Sequence, residues 1–166
     1  MDIKVLHKLT YGLFLLCARE NDKDNGCIIN TVLQLSSNPL NIGYVVNKSN
    51  YTCEILKNKT TCSISILSQD ADFELIKNFG FCSGRDTDKF KHFHDYKRLD
   101  NENVVLTKGL NSYLVLNIVQ KIDLCSHILF IGLPVIAEVV SNAPSLTYDY
   151  YLSNIKPNAI KIEKNN

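Results

Sequence analysis

The sequence of 166 residues lacks several features that would assign a protein to a common class. No two of its six cysteines have the Cys-x-x-Cys spacing of zinc, rubredoxin or thioredoxin-like sites. A Gly-x-Gly-x-x-Gly fingerprint is also absent, so the sequence gives no sign of a Rossmann-type dinucleotide site. No apolar run reaches the roughly 20 residues of a membrane-spanning helix. The net charge of only +1 argues against strong electrostatic attraction to nucleic acid or to an anionic membrane.

The cysteines and the N-terminus indicate a reducing compartment. Most cysteines lie within apolar stretches such as Leu16–Ala18, which is typical of small buried side chains rather than of disulfides. Lys4 and Lys8 precede the apolar run Tyr11–Ala18 in the manner of a signal peptide. Gly12 interrupts that run, and no small-x-small cleavage site follows it. We therefore expect a cytoplasmic protein whose Asn-x-Ser/Thr triplets are not glycosylated.

The chain length fits one domain, residues 1–166, made mainly of short strands. A dense turn signal at Asn21–Gly26 ends in Asn-Gly, a dipeptide typical of hairpins. Helices are predicted over Asn50–Lys57 and from Asp70 or Asp72 to Phe79. Strands are predicted over Tyr11–Ala18, Cys27–Leu35, Ile42–Val46, Thr61–Leu67, Val104–Leu106, Tyr113–Lys121 and His127–Val140, the last with a bend at Gly132–Pro134. This pattern favours a barrel or sandwich over a doubly wound sheet.

The segment Phe81–Asn103 is long, polar and weakly periodic, which is typical of a functional or partner-covered loop. It contains His92 and His94, but such pairs are usually incidental and no third ligand can be named. No metal site is therefore predicted. Its alternating basic and aromatic residues resemble a nucleic-acid stacking surface, but interspersed acidic residues argue against that interpretation.

Taken together, several segments resemble flavin reductase-like proteins of the FMN-binding split-barrel class. The resemblance is nearest to the branch that includes ferric reductases and the flavin half of flavin–rubredoxin fusions. Its segments follow one another in the same order over nearly the whole chain: LTYGL at 9–13, NGCIINTVLQ at 25–34, NKSNYT at 47–52, FELI at 73–76, FGFCSGRD at 79–86, DKF at 88–90, SHILFIG at 126–132 and LTYDYY at 146–151.

The resemblance implies a six-stranded antiparallel split barrel of Greek-key type with a few short helices. It also implies a homodimer that binds FMN near the subunit interface and oxidises NADH or NADPH. The electron acceptor is left open between free flavin, ferric iron, rubredoxin and a flavodiiron protein. Because Pro157–Asn166 contains no paired cysteines, we expect any iron-centre partner to be a separate protein. A non-enzymatic FMN electron carrier, reduced by another enzyme, is the alternative function.

Two segments are candidates for the flavin contacts. The resemblance places backbone groups of residues 28–32 at the flavin edge, a region that includes Asn30, Thr31 and Val32. Gln34 shares a strand face with Asn30, although such polar residues are also ordinary on edge strands. The second segment runs through Asn47, Lys48, Ser49, Asn50, Tyr51 and Thr52 to the start of a predicted helix. Free N–H groups, the charge of Lys48 and two hydroxyls favour a phosphate site there, and simple helix capping remains compatible with it.

The remaining candidates come from the resemblance. Ser83, Arg85 and Lys89 lie in a turn with charges of both signs, which suits phosphate or nicotinamide dinucleotide binding and equally a solvated loop. Tyr151, in the C-terminal tyrosine cluster, is expected to cover the flavin or to pack a dimer. The family places a histidine near the flavin at His127, where an imidazole donates a hydrogen bond to substrate or flavin. Cys125-Ser126 precedes it, where relatives usually have a glycine.

Overall fold

A computed structural model describes residues 2–156 of the chain, so Met1 and the predicted tail Pro157–Asn166 lie outside the described residues. A 3-10 helix over Ile3–Lys8 leads into the first strand, and a π-helical turn over Tyr151–Ile155 follows the last helix. The strands are β1 Phe14–Glu20, β2 Lys23–Ile29, β3 Val32–Ser37, β4 Leu40–Asn47, β5 Thr61–Leu67, β6 Tyr96–Arg98, β7 Val104–Leu106, β8 Leu110–Leu124 and β9 His127–Val139. The helices are α1 Tyr51–Lys57, α2 Phe73–Gly80 and α3 Tyr148–Tyr150.

Seven strands form one antiparallel sheet in the order β2-β1-β5-β8-β9-β4-β3, and β6 and β7 form a separate ribbon. The mainly β class with few short helices is therefore confirmed, but the expected count of six strands is wrong. The extra strand arises because the predicted strand Cys27–Leu35 is divided at Asn30-Thr31. Its first part pairs with β1 and its second part pairs with β4, so one apolar stretch serves both edges of the sheet.

The sheet separates two apolar clusters. The inner cluster joins strands from both edges with α1, and it includes the stacked rings of Tyr44 and Phe130, whose centroids are 5.4 Å apart. The outer cluster packs α2, the β7 strand and the C-terminal segment against β1. Phe90, within the long predicted loop, contacts the Phe79 ring edge-on at 5.1 Å between centroids. That loop is therefore held on the barrel by aromatic packing.

The turn between β1 and β2 differs from the sequence prediction. Asn21 and Asp22 adopt φ angles of 48° and 63°, so they form the two-residue hairpin turn. Asn and Asp tolerate this left-handed conformation better than other non-glycine residues. Asn25-Gly26, predicted as the hairpin end, instead lies inside β2 opposite Ala18 and Cys17. The predicted strand start at Tyr11 is also wrong, because β1 begins at Phe14.

Other local predictions are confirmed. β5 has the predicted bounds, and α2 follows Asp72, whose carboxylate accepts a 2.7 Å hydrogen bond from the Leu75 N–H. The predicted bend at Gly132–Pro134 coincides with two register shifts between β8 and β9. Within residues 2–156, no helix combines the length and apolar character needed to cross a membrane.

Candidate functional site

A cavity of about 540 Å³, which we call the main cavity, lies where the β2–β3 bend, the ends of β4 and β8, the start of β9 and the C-terminal turn meet. A second cavity of the same volume is lined by Tyr51, Arg85 and several acidic residues. Buried Leu13 and Ile76 contribute apolar wall to the main cavity, while Asn30, Thr31 and Asn47 contribute polar groups. The lining residues are Leu13, Ile28, Ile29, Asn30, Thr31, Val45, Asn47, Asn50, Ile76, Gly80, Phe81, Leu124, His127, Tyr148, Tyr151 and Lys156. The cavity is therefore largely apolar with polar groups from separate segments, the composition typical of small-molecule sites.

A smaller cavity of about 210 Å³ adjoins the main one, because Ile28, Asn50, Gly80 and Phe81 line both. It lies between the start of α1 and the loop that follows α2. Predicted residues on its wall are Ser49, Asn50, Tyr51, Thr52, Ser83 and Lys89. We call the two adjoining cavities the binding groove, with a main and a small compartment.

Lys89 places a buried cation on the small compartment. Only 5% of the residue is exposed, and its Nζ donates hydrogen bonds to the carbonyls of Gly26 at 2.8 Å and Phe79 at 3.1 Å. Burial lowers the pKa of this ammonium because the charged form loses its hydration. No carboxylate within residues 2–156 forms an ion pair with Lys89. An ammonium has three donors, so one remains for an anionic ligand.

Lys48 occupies a different environment from the one expected for a phosphate ligand. Its Nζ donates to both carboxylate oxygens of Asp123 at 2.7 Å, and this contact lowers the pKa of Asp123. Lys48 lines neither compartment of the groove. Val32 and Gln34 also lie outside it: Val32 packs against the inner cluster, and the exposed Gln34 amide donates to the Ser36 carbonyl at 3.3 Å.

A contact between three segments shapes the small compartment. The side-chain amide of Asn25 in β2 donates to the Thr52 hydroxyl in α1 at 2.7 Å, and both residues are buried. Gly84 packs directly on this pair, since a Cβ there would lie 2.0 Å from Asn25 Oδ1. Asn25 was missed as a site residue because Asn-Gly also signals a turn. Only its position in β2, with the side chain toward α1, shows its role.

Arg85 fastens the loop after α2 to the start of α1. Its guanidinium donates to the Ser49 carbonyl at 2.9 Å, pairs with Glu54, and lies over the Tyr51 ring at 5.6 Å from the centroid. Ser83 supports the same loop, because its hydroxyl accepts from the Arg85 N–H at 3.2 Å. Arg85 does not line either compartment, so its contacts hold the groove wall in place rather than face the interior.

His127 lies on the wall of the main compartment. It opens β9 opposite Asn47, and its Nδ1 is 2.8 Å from the Ser126 hydroxyl. The preceding Cys125 adopts a φ of 63°, and its N–H donates to Asp123 Oδ1 at 2.8 Å. A cysteine thus takes the left-handed conformation that usually requires glycine, so the turn before His127 forms without one.

Tyr151 lines the main compartment, and its hydroxyl is buried. The residue is 4% exposed, and its hydroxyl has no hydrogen-bond partner in the part of the chain that the structure describes. Burial raises the pKa of this phenol, with a smaller contribution from Tyr148, whose ring centroid is 6.1 Å away. The sequence suggested a tyrosine near the ligand but could not show that its hydroxyl is unpartnered.

A protein-family model described as "Flavin reductase like domain" matches residues 6–156. The chain is 38% identical over 151 residues to the high molecular weight rubredoxin of Moorella thermoacetica, covering 91% of this chain and 66% of that protein. It is 33% identical over 153 residues to the ferric-chelate reductase (NAD(P)H) of Archaeoglobus fulgidus, covering 92% of this chain and 90% of that protein. The chain therefore spans slightly less than two-thirds of the first relative.

Solved structures share the fold at lower identity. The FMN-binding protein from Thermus thermophilus has a TM-score of 0.75 at 20% identity, covering 86% of this chain and 83% of that one. An NADH:FAD oxidoreductase from Streptomyces globisporus has a TM-score of 0.76 at 16% identity, covering 87% and 84%. At these identities the likeness concerns the arrangement of strands and helices.

Proposed function

This chain belongs to the flavin reductase-like family, and we propose that it is an FMN-dependent NAD(P)H oxidoreductase that passes electrons to a further acceptor. One observation carries the proposal: the binding groove joins a buried cation without an acidic partner to a larger, mostly apolar compartment. FMN has the matching chemistry, with a dianionic phosphate at one end of a flexible chain and a flat aromatic ring at the other.

The small compartment suits the phosphate. The remaining Lys89 donor would supply a charge-assisted hydrogen bond, the stronger class of such bonds. Ser83 adds a hydroxyl on the same wall, whereas the Ser49 hydroxyl already donates to Asn47 Oδ1 at 2.9 Å. A buried ammonium that is hydrogen-bonded only to neutral carbonyls is costly to keep charged, so an anion in this compartment also offsets that cost.

The main compartment suits the ring. Its volume of about 540 Å³ lies within the range of cofactor sites. Leu13, Ile28 and Ile76 would cover the ring and exclude water, while the β2–β3 bend offers Asn30 and Thr31 to its polar edge. When bound, FMN supplies the hydride and electron chemistry that protein side chains lack.

His127 is our proposed contact for the reduced nicotinamide. It stands on the wall of the main compartment, and the Ser126 hydroxyl occupies its Nδ1. The Nε2 atom has no partner among residues 2–156, so it is free to hydrogen-bond the incoming ligand and orient it. His127 would thus assist positioning, with no proton transfer required of it.

A homodimer is the proposed assembly. Exposed apolar side chains occur on four neighbouring strands at one edge of the sheet: Leu33, Leu35, Leu40, Val119, Leu124, Val135 and Val139. Leu124 belongs to this surface and also lines the main compartment, so a second copy seated here would reach the groove. Sedimentation velocity tests this assembly, and a monomer at micromolar concentration would contradict it.

The cellular location and the electron acceptor are also proposals. All six cysteines are free thiols, which supports a reducing cytoplasm. The names of the two curated relatives favour a ferric chelate or a separate rubredoxin as acceptor. Free flavin and a flavodiiron protein complete the set that an acceptor assay should compare.

Visible absorbance tests the function directly. The purified chain is loaded with FMN, freed of excess flavin, and mixed with NADH or NADPH without oxygen. Rapid bleaching of bound flavin is the expected result, and the faster nucleotide identifies the donor. Bound flavin that does not bleach with either nucleotide would indicate an electron carrier reduced by another enzyme. Failure to bind FMN would refute both functions.

A further inference from the structure

We propose that the Tyr151 hydroxyl donates a hydrogen bond to an acceptor atom of the flavin ring and so fixes the ring in the main compartment. This inference rests on the proposed function, because it assigns one residue of this chain to a defined part of the proposed cofactor. It starts from two observations: Tyr151 lines the main compartment, and its hydroxyl is buried without a hydrogen-bond partner among residues 2–156.

Buried polar groups nearly always have a hydrogen-bond partner, so an exception on a cavity wall points to the ligand. The same C-terminal segment offers a contrast. Tyr150 is only half-buried and lines neither compartment. Its backbone N–H donates a hydrogen bond to the Thr147 hydroxyl at 3.1 Å. Of these two adjacent tyrosines, only Tyr151 lines the groove.

The position of Tyr151 selects the ring rather than the phosphate. It lines the main compartment and not the small one, which contains the buried ammonium of Lys89. A ligand whose anionic end sits at Lys89 and whose other end fills the main compartment would bring its uncharged end to the wall that Tyr151 shares with Leu13 and Ile76. The isoalloxazine system carries carbonyl oxygens and ring nitrogens that accept hydrogen bonds.

Two further observations agree with a donor role. Burial raises the pKa of the phenol, so the hydroxyl keeps its proton through the neutral range and can donate. Tyr151 is also the first residue of a π-helical turn, and such turns occur frequently at functional sites. The turn places Tyr151 among the residues that line the main compartment, which also include Asn30 and Thr31 of the β2–β3 bend.

The test compares Tyr151→Phe with Tyr150→Phe in the full chain. Without flavin, Tyr151→Phe should melt at the same temperature or up to about 3 °C higher, because it removes a desolvated hydroxyl that has no partner. The dissociation constant of the FMN complex should be about 3- to 10-fold higher for Tyr151→Phe than for the unmodified chain. The dissociation constant for riboflavin, which lacks the phosphate, should rise by the same factor. The visible spectrum of flavin bound to Tyr151→Phe should shift, while Tyr150→Phe leaves affinity and spectrum unchanged.

The outcomes separate this inference from the proposed function. If the unmodified chain does not bind FMN, the proposed function fails and the inference fails with it. If the unmodified chain binds FMN and Tyr151→Phe matches it in affinity and spectrum, only the inference is overturned. A weaker affinity for FMN with an unchanged affinity for riboflavin would also overturn it, since the hydroxyl would then address the phosphate end.

Discussion

Substituting Lys89 by methionine tests the central electrostatic argument, because methionine keeps the unbranched apolar stem and removes the ammonium. Lys89 Nζ uses two donors on the carbonyls of Gly26 and Phe79, which leaves one for the FMN phosphate. Hydrogen bonds to charged groups contribute about 1.5–3 kcal/mol. The dissociation constant of FMN should therefore rise about 10- to 150-fold. Flavin fluorescence titration measures this change.

Riboflavin and Lys48 supply the controls. Riboflavin has the same ring without a phosphate, so its affinity should stay within about twofold in Lys89→Met if the groove remains folded. Lys48→Met removes a cation that is paired with Asp123 and lies outside the groove, so FMN affinity should hardly change. Equal weakening of both flavins by Lys89→Met, or a larger loss from Lys48→Met, would refute the assignment.

The pH dependence follows from the lowered pKa of Lys89. The free protein loses this proton below the ordinary lysine value of 10.5, so FMN affinity should fall as the pH rises through the lowered pKa. The affinity for riboflavin, which has no phosphate, should not fall over the same pH range. In the same window the unfolded chain holds more protons than the folded chain, so flavin-free stability should rise with pH. Below the pKa of Lys89 in the folded chain, the loss of stability caused by burying its charged ammonium is at its full value. An FMN affinity with the same pH profile as riboflavin would contradict the argument.

Three further substitutions test the surroundings of the groove. Gly84→Ala forces a Cβ to within 2.0 Å of Asn25 Oδ1, so thermal unfolding should show a loss of about 1–3 kcal/mol, and an unchanged melting temperature would contradict the packing argument. Cys125→Gly removes a left-handed non-glycine residue and should raise the free energy of unfolding in urea by up to about 1 kcal/mol, whereas a loss would show that the cysteine is unstrained. His127→Gln should slow flavin bleaching by NAD(P)H about 10-fold with FMN affinity nearly unchanged, and an unaltered stopped-flow rate would remove His127 from the site.

Local sequence signals predicted much of the fold. The alternation of Cys62, Ile64 and Ile66 with serines gave β5 its observed bounds, and Cys62 and Ile64 pack in the inner cluster as such alternation predicts. The cap at Asp72 located α2 for a similarly local reason. Local signals did not predict the position of Asn25, because Asn-Gly is compatible with both a turn and a strand. The turn forms instead at the competing pair Asn21-Asp22.

The site was less predictable because its residues meet only through tertiary structure. Family resemblance named both lysines, but local chemistry favoured Lys48, which precedes a helix. The fold pairs Lys48 with Asp123, 75 positions away, and brings Lys89 to Gly26, 63 positions away. Rules based on neighbouring residues cannot predict contacts between residues so far apart in the sequence. Likewise, the orphan hydroxyl of Tyr151 is a property of its packed surroundings and has no signature in the sequence.

The C-terminal wall of the groove has a consequence for biosynthesis. Leu13 donates its N–H to the Leu146 carbonyl, and Tyr148 donates to the Tyr11 carbonyl, so the segment carrying Tyr151 docks beside the first strand. During translation the first strand leaves the ribosome long before this segment exists. Until this segment has been made, the groove lacks the wall that Tyr148 and Tyr151 supply. If FMN is held by both walls, as proposed, its stable binding requires residue 151 to have emerged from the ribosome, so we expect newly made protein to pass through a flavin-free state.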